Sequence, residues 1–336
     1  MSIRKILAGI SVIVFSAVTW SSVSADVNFK FASANAPDSM SHGAFGHAWK
    51  KHIEEASNGR ITVQLLFGGQ MGSEQDNVNQ VSSGLIQAAS AAVNNVTPFA
   101  PIVGFATLPY MFQGVEEAWA VFDSPLRDTL NETMAKQANF RTVAWLTGGF
   151  RVLSNSKKPV RTLADLQGLR IRVPKNDIMI ASYKAWGINP VPMSWTETFN
   201  ALQQKVVDGQ DNPYDVFPTL RFDEVQSYIT NIHYILWSGP VIVNEVWWQN
   251  LSADDQSIIS EAAVKAQDEQ RAGMQSFLGG AALFAIEHGV EITPPADEQE
   301  WVEPVMAIWP DFYEKIGGKA FVDEVVVFLE NHRKSN

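Results

Sequence analysis

Hydrophobic and polar positions alternate most cleanly within residues 161–213, RTLADLQGLRIRVPKNDIMIASYKAWGINPVPMSWTETFNALQQKVVDGQDNP. Leu169, Ile171 and Val173 alternate with Arg170 and Arg172 until Pro174 ends the run. That is the period of a strand with a hard stop, its apolar residues facing one way and its arginines the other. Ile178, Tyr183, Ala185 and Trp186 then recur as a helix ending at Gly187. Ser194 with Glu197 forms a capping box, which opens a helix with Phe199, Leu202 and Val206 on its apolar face and Trp195 in its first turn. The run VVDGQDNP reads as a strand closing in Asn212-Pro213. Strand, helix, strand predicts Arg172 and Asn212 near the carboxyl ends of neighbouring strands, the rim where open α/β sheets bind ligands. Two arginines on one strand face have two readings. They form a solvated edge, or one presents its planar fork to a carboxylate with Asn212 as a further donor.

The flanks continue the alternation of strands and helices. Residues 28–34 read as a strand, and a helix from about 41 carries Phe45, Ala48, Trp49, His52 and Ile53 on one face until Asn58-Gly59. Ile61, Val63, Leu65 and Phe67 alternate as the next strand. The glycine-rich turn Gly68-Gly69-Gln70-Met71-Gly72-Ser73-Glu74 follows, either an anion cradle or an ordinary strand-to-helix turn. Residues 85–93 read as a small apolar strand ending in Asn94-Asn95, 105–112 as an apolar segment, and 115–137 as one helix. Strands and helices in this order predict mainly parallel sheets covered on both faces.

Residues 141–145 read as a strand that Gly148-Gly149-Phe150-Arg151 breaks, its two glycines suiting a crossing between lobes. A second crossing falls at Trp237-Ser238-Gly239-Pro240. Thr162 with Asp165 is a further capping box, and Ser252 with Asp255 opens a long helix to about 285. Residues 298–334 are helical by pattern.

Bulk properties narrow the function. There is no cysteine, which excludes disulfides, thiolate metal sites and a lipid-anchored N-terminus. A formal net charge of −11 argues against nucleic acid or anionic membrane as partner. Arg4 and Lys5, the apolar run 6–18 and the small-residue pattern Val23-Ser24-Ala25 read as a signal peptide cleaved after Ala25. The apolar run falls short of the roughly 18–20 residues of a spanning helix, and an uncleaved anchor is the other reading.

The segments GLRIRVP and GINPVPMSWTETFNALQQKVVDGQDNP resemble the signature region of solute-binding proteins of tripartite ATP-independent periplasmic (TRAP) transporters, the DctP type. Departures are mild: Ile188-Asn189, the single residue between Met193 and Trp195, Lys205, and Asp211 where Glu is usual. FKFASANAPDS, ASNGRITVQLLFGGQMGSEQDNVNQVSSGLIQAA, FATLPYMF and WWQNLSADDQSIISEAA extend the resemblance over nearly all of the chain beyond residue 25. It implies an α/β, periplasmic binding protein-like fold. Two α/β lobes with mainly parallel sheets would be joined by hinge crossings and a long C-terminal spanning helix. Lobe I would take 26–148 and about 238–280, lobe II 149–237 and about 281–336. It further implies a periplasmic, monomeric protein that binds a small carboxylate (a C4-dicarboxylate, a hydroxy or keto acid, or a sugar acid) and hands it to permease subunits. Arg172 would clamp the carboxylate, with Asn212 donating beside it and Arg151 adding a second cation. Trp195 and Trp237 would form apolar walls, and Glu74 would either orient ligand hydroxyls or cap its own helix. Another class of importer would use such a binder equally well.

Catalytic chemistry finds little footing. His42, His47 and His52 are five residues apart and share no helix face. His233, His288 and His332 are scattered, and all six histidines read as packed or solvated. No G-x-S-x-G or H-E-x-x-H occurs. No cofactor or metal is expected, and a secreted hydrolase or lyase is the alternative from another class.

Overall fold

The computed structural model describes residues 26–335, so the segment read as a signal peptide lies outside the described residues. Eleven strands run through the described residues: β1 (Val27–Ser33), β2 (Ile61–Leu66), β3 (Ala88–Ser90), β4 (Phe140–Phe150), β5 (Val152–Asn155), β6 (Ile171–Val173), β7 (Val191–Pro192), β8 (Gly209–Asn212), β9 (Tyr228–Thr230), β10 (Leu236–Asn244) and β11 (Glu291–Thr293). They form two sheets, ordered β2-β1-β3-β10-β4 and β11-β9-β5-β8-β6-β7. Within the first, β2, β1 and β3 are parallel, while β10 pairs antiparallel with both β3 and β4. Within the second, β7, β6 and β8 are parallel, as are β9 and β11, and β5 runs against its neighbours. The antiparallel pairs all involve strands adjoining a crossing, β5 and β10; the remaining pairs keep the parallel order that strand–helix–strand patterning predicts.

Alternation on β1 sends Phe29 and Phe31 onto the helix His42–Ala56, where they meet Phe45, Trp49 and Ile53 in one buried cluster. β3 is Ala-Ala-Ser and wholly buried, because small side chains are all that fit between sheet and cover there. On β6, Ile171 and Val173 face a core with Tyr183, Trp186 and Tyr234.

The chain passes from the first sheet to the second at Arg151 and returns through residues 231–235. The first crossing falls at the last residue of the Gly148–Arg151 segment, beyond its glycines, and the second lies before Trp237–Pro240. β4 runs unbroken through Gly148 and Gly149. A Cβ on Gly148 would stand 3.1 Å from the Trp237 ring, and one on Gly149 3.0 Å from Leu278. Those glycines admit close neighbours and do not end the strand. Trp237 to Pro240 likewise lie inside β10.

Other boundaries differ for local reasons. The strand at 85–93 contracts to β3, because Gly84 at φ +78 closes the preceding helix into a turn and Leu85 is exposed. The helix at 115–137 is two helices, Val115–Phe122 and Leu126–Ala138, parted by Ser124-Pro125. The tail 298–334 breaks into Glu298–Met306, a single 3-10 turn and Lys319–Ser335, interrupted by Gly317 and Gly318 at positive φ. In the tail 281–336, which the sequence groups with the second lobe, Phe321, Val322, Val325 and Leu329 share one buried cluster with Phe105, Leu130 and Ile178.

The long helix Ala253–Glu287 spans the molecule. Ile259, Ala262, Ala263 and Ala266 pack into a first-sheet core, and Ala285 into a second-sheet core. Gly279 and Gly280 lie between those ends with open space around both. Among the described residues no helix is long and apolar enough to cross a membrane.

Candidate functional site

Parallel strands end together, so the loops after β1, β3, β6 and β8 converge on the gap between the sheets. A small cavity of about 40 Å³ lies there. All six residues singled out in the sequence line it: Arg172, Asn212, Arg151, Trp195, Glu74 and Trp237. The turn Gly68–Gly72 does not; its three glycines take φ of +66, +75 and +93, which makes it a strand-to-helix turn.

Arg172 is 2% exposed. Its Nε and Nη2 both donate to the carbonyl oxygen of Met193, at 3.1 and 2.6 Å, and neither bond uses Nη1. Its guanidinium carbon stands 6.0 Å from the centre of the Trp195 ring, whose other neighbour is the stacked ring of Phe222. Arg172 forms no salt bridge among the described residues. Burial pushes its pKa down to about 10, Asp211 opposing and Arg151 reinforcing the shift, so it stays charged at neutral pH. Arg170, two residues earlier, is half exposed and pairs with Asp208 at 2.9 Å. One arginine of the pair is therefore a surface ion pair and the other a buried cation.

Arg151 is equally buried and differently employed. Nη1 donates to the Asp211 carbonyl at 2.9 Å and to Asn212 Oδ1 at 3.0 Å, and Nη2 donates to Asn94 Oδ1 at 3.1 Å. The Asp211 carboxylate lies 3.9 Å from Nη1 and accepts from the Tyr234 hydroxyl. Asn212 Nδ2 donates to Gln210 at 2.6 Å. Asn212 thus holds Arg151 with its oxygen, and its amide nitrogen, expected as a donor into the cleft, is engaged within β8.

Glu74 does not cap its helix. Ser73 does, closed by Asp76 in a capping box. The Glu74 carboxylate instead accepts from Asn35 Nδ2 and the Ala92 N–H, each at 3.2 Å, and from Asn95 Nδ2. It pins the segments that follow β1 and β3, and burial raises its pKa against those bonds.

Several lining residues escaped the sequence reading. His42 is 1% exposed, with Nδ1 2.8 Å from Ser90 Oγ, Nε2 3.7 Å from Glu74, and its ring edge-on to Trp237. Burial depresses its pKa to about 3, so the imidazole is neutral. Asn94 and Asp215 line the cavity as well. Burial pushes the Asp215 carboxyl up to about 7, with Arg151 opposing. The available signal was position, since Asn94 follows β3 and Asp215 follows β8 at the ligand-binding rim. Helical spacing carries no sign of His42, whose place beside Ser90 and Trp237 is set by the fold.

The two lobes are shut on each other. Besides Arg151–Asn94, Asn176 Nδ2 donates to the Asn94 carbonyl and Gln75 Nε2 to the Lys175 carbonyl, both at 3.1 Å. No cluster of metal-ligating side chains occurs among the described residues.

Residues 31–316 match the family model described as DctP, bacterial extracellular solute-binding protein, family 7. The chain is 30% identical over 275 residues to a solute-binding protein of Verminephrobacter eiseniae, covering 82% of each. Among solved structures it is similar to a TRAP periplasmic solute-binding protein from Rhodobacter sphaeroides, apo and open, at 34% identity and TM-score 0.76, covering 91% of this chain and 99% of that one. It is also similar to the sugar acid binding protein DctPAm from Advenella mimigardefordensis in complex with galactonate, at 26% identity and TM-score 0.86 with the same coverage.

Proposed function

The chain belongs to the DctP family of bacterial extracellular solute-binding proteins, which serve TRAP transporters, and on that premise we propose that it is an exported binding protein for a small organic acid. It captures the acid between its lobes and delivers it to the membrane subunits of a TRAP transporter. The family's role is solute binding for transport, and its proteins are periplasmic.

One observation carries the reading. Arg172 is a buried guanidinium lining an interlobe cavity, with no salt bridge among the described residues. A buried charge without a counter-ion is costly, and an arriving carboxylate supplies one. The ligand meets the Nη end of the fork, because the Nε edge holds the Met193 carbonyl. Arg151, fixed by Asn212 and Asn94, adds positive potential beside it. Trp195 and Trp237 wall the ligand body, and Glu74 holds the first-lobe loops around it.

Closure follows from differential affinity. With the lobes apart Arg172 is hydrated; a carboxylate touching both lobes favours the shut form by its extra affinity for that form. Moving the population from mostly open to mostly closed takes roughly 5 kcal/mol of such difference. A thermal-shift screen of the chain from Asp26 over organic acids tests the reading. One or more acids are expected to raise the melting midpoint, and Arg172→Lys to abolish the rise. A panel without effect on either protein refutes it. N-terminal sequencing of periplasmic material tests cleavage after Ala25.

A further inference from the structure

The cavity carries a second set of groups that the arginines do not occupy. His42 Nε2, Asn94 Nδ2 and Asp215 Oδ1 are buried and have no hydrogen-bond partner, and all three residues line the cavity. Buried polar side-chain atoms are paired in the large majority of cases, so three unpaired ones around a single space describe what should fill it. Asn94 Nδ2 can only donate, since its Oδ1 already accepts from Arg151 and the amide cannot be turned without placing donor against donor. Asp215 Oδ1 accepts when ionised. His42 offers Nε2 as donor or acceptor, according to which way its Nδ1 bond with Ser90 runs. The group that satisfies all three kinds of partner is a hydroxyl, which both donates and accepts.

The charge distribution rules on a second carboxylate. Two arginines line the cavity, but Arg151 has the Asp211 carboxylate 3.9 Å away, which leaves Arg172 as the lining arginine without a salt bridge among the described residues. Glu74 and Asp215 line the same small space. A second anionic group beyond the Arg172 end finds no unpaired arginine there among the described residues, and Glu74 and the ionised form of Asp215 oppose it at low local dielectric.

We propose that the site selects a compact hydroxylated monocarboxylate: one carboxylate on Arg172, with hydroxyls filling the unpaired atoms of His42, Asn94 and Asp215. It disfavours acids with no hydroxyl and unsubstituted dicarboxylates. The proposal rests on the organic-acid reading above and narrows it. A site built to hydrogen-bond a ligand hydroxyl rejects the analogue lacking it, because its own buried groups are then stranded.

The test is calorimetric titration of the chain from Asp26 with four- to six-carbon aldonates (erythronate, threonate, gluconate, galactonate), the deoxy acids butanoate and hexanoate, and the dicarboxylates succinate and glutarate. The tightest ligand is expected among the aldonates, at least about 100-fold tighter than the deoxy acid of equal length. Asp215→Asn, nearly isosteric, is expected to weaken that aldonate about tenfold or more and to change deoxy-acid binding less than threefold. If Asp215→Asn does not fold, the wild-type ranking of aldonates against deoxy acids and dicarboxylates decides the matter without it. A deoxy acid or a dicarboxylate as tightest ligand, or an equal loss for hydroxylated and deoxy acids in the variant, overturns the proposal and leaves the organic-acid reading intact. Binding of no acid at all overturns that reading and the proposal with it.

Discussion

Arg151 Nη2 donates to Asn94 Oδ1 at 3.1 Å, joining the residue at one crossing to the short helix beyond β3 in the opposite lobe. A hydrogen bond to a charged group contributes about 1.5–3 kcal/mol. Asn94→Ala is therefore expected to weaken acid binding roughly 10- to 100-fold and to shift the liganded protein toward the open form. Small-angle scattering reads that shift as a larger radius of gyration. An unchanged profile with ligand present would contradict a role for this bond in closure.

Arg172 and Arg170 are two residues apart and should respond differently to the same substitution. Arg172→Lys loses the planar fork that serves both Met193 and the ligand, so affinity should fall by about two orders of magnitude. Arg170→Lys alters a half-exposed pair with Asp208 whose attraction solvent largely screens, and affinity should hold. Equal losses in a titration would remove Arg172 from its assigned place.

His42 makes stability depend on pH in a stated direction. Its folded pKa, about 3, lies below the ordinary 6.5. Its contribution is full above about 6.5 and declines as pH falls toward about 3, because the unfolded chain binds a proton there that the folded chain excludes. The gap in melting midpoint between wild type and His42→Gln should narrow from pH 7 to pH 5. A constant gap would mean that the imidazole titrates freely in the folded protein.

Gly239 is sterically required. An added Cβ would lie 2.8 Å from the Ala91 carbonyl oxygen and 3.0 Å from the Trp237 ring, with backbone on one side and a cavity wall on the other. Gly239→Ala is expected to destabilise by about 1–3 kcal/mol and to weaken ligand binding by displacing Trp237. Calorimetric melting beside a ligand titration checks both. A stable variant with altered affinity would show that the tryptophan, not the backbone, gives way.

Much of the second lobe was legible because its signals are local. The LRIRVP alternation, the Ser194–Glu197 box and the Asn212-Pro213 stop each specify one element, and β6 and β8 do lie side by side. The boundaries that moved depend on distant residues. Nothing near Gly148 or Gly239 reveals that Trp237, Leu278 and Ala91 need the room. Trp195 and Arg172 were found because strand ends and helix starts are readable. His42 and Asp215 were not, since their interest lies in an atom left unpaired after folding, which no periodicity encodes.

The helix Ala253–Glu287 is anchored at one end in each lobe's core, with Gly279-Gly280 between. Glycine is the residue least committed to helical geometry, at roughly 1 kcal/mol below alanine. The shaft therefore has its most compliant point between the two cores it joins, and a closure such as the one proposed above would bend it there first.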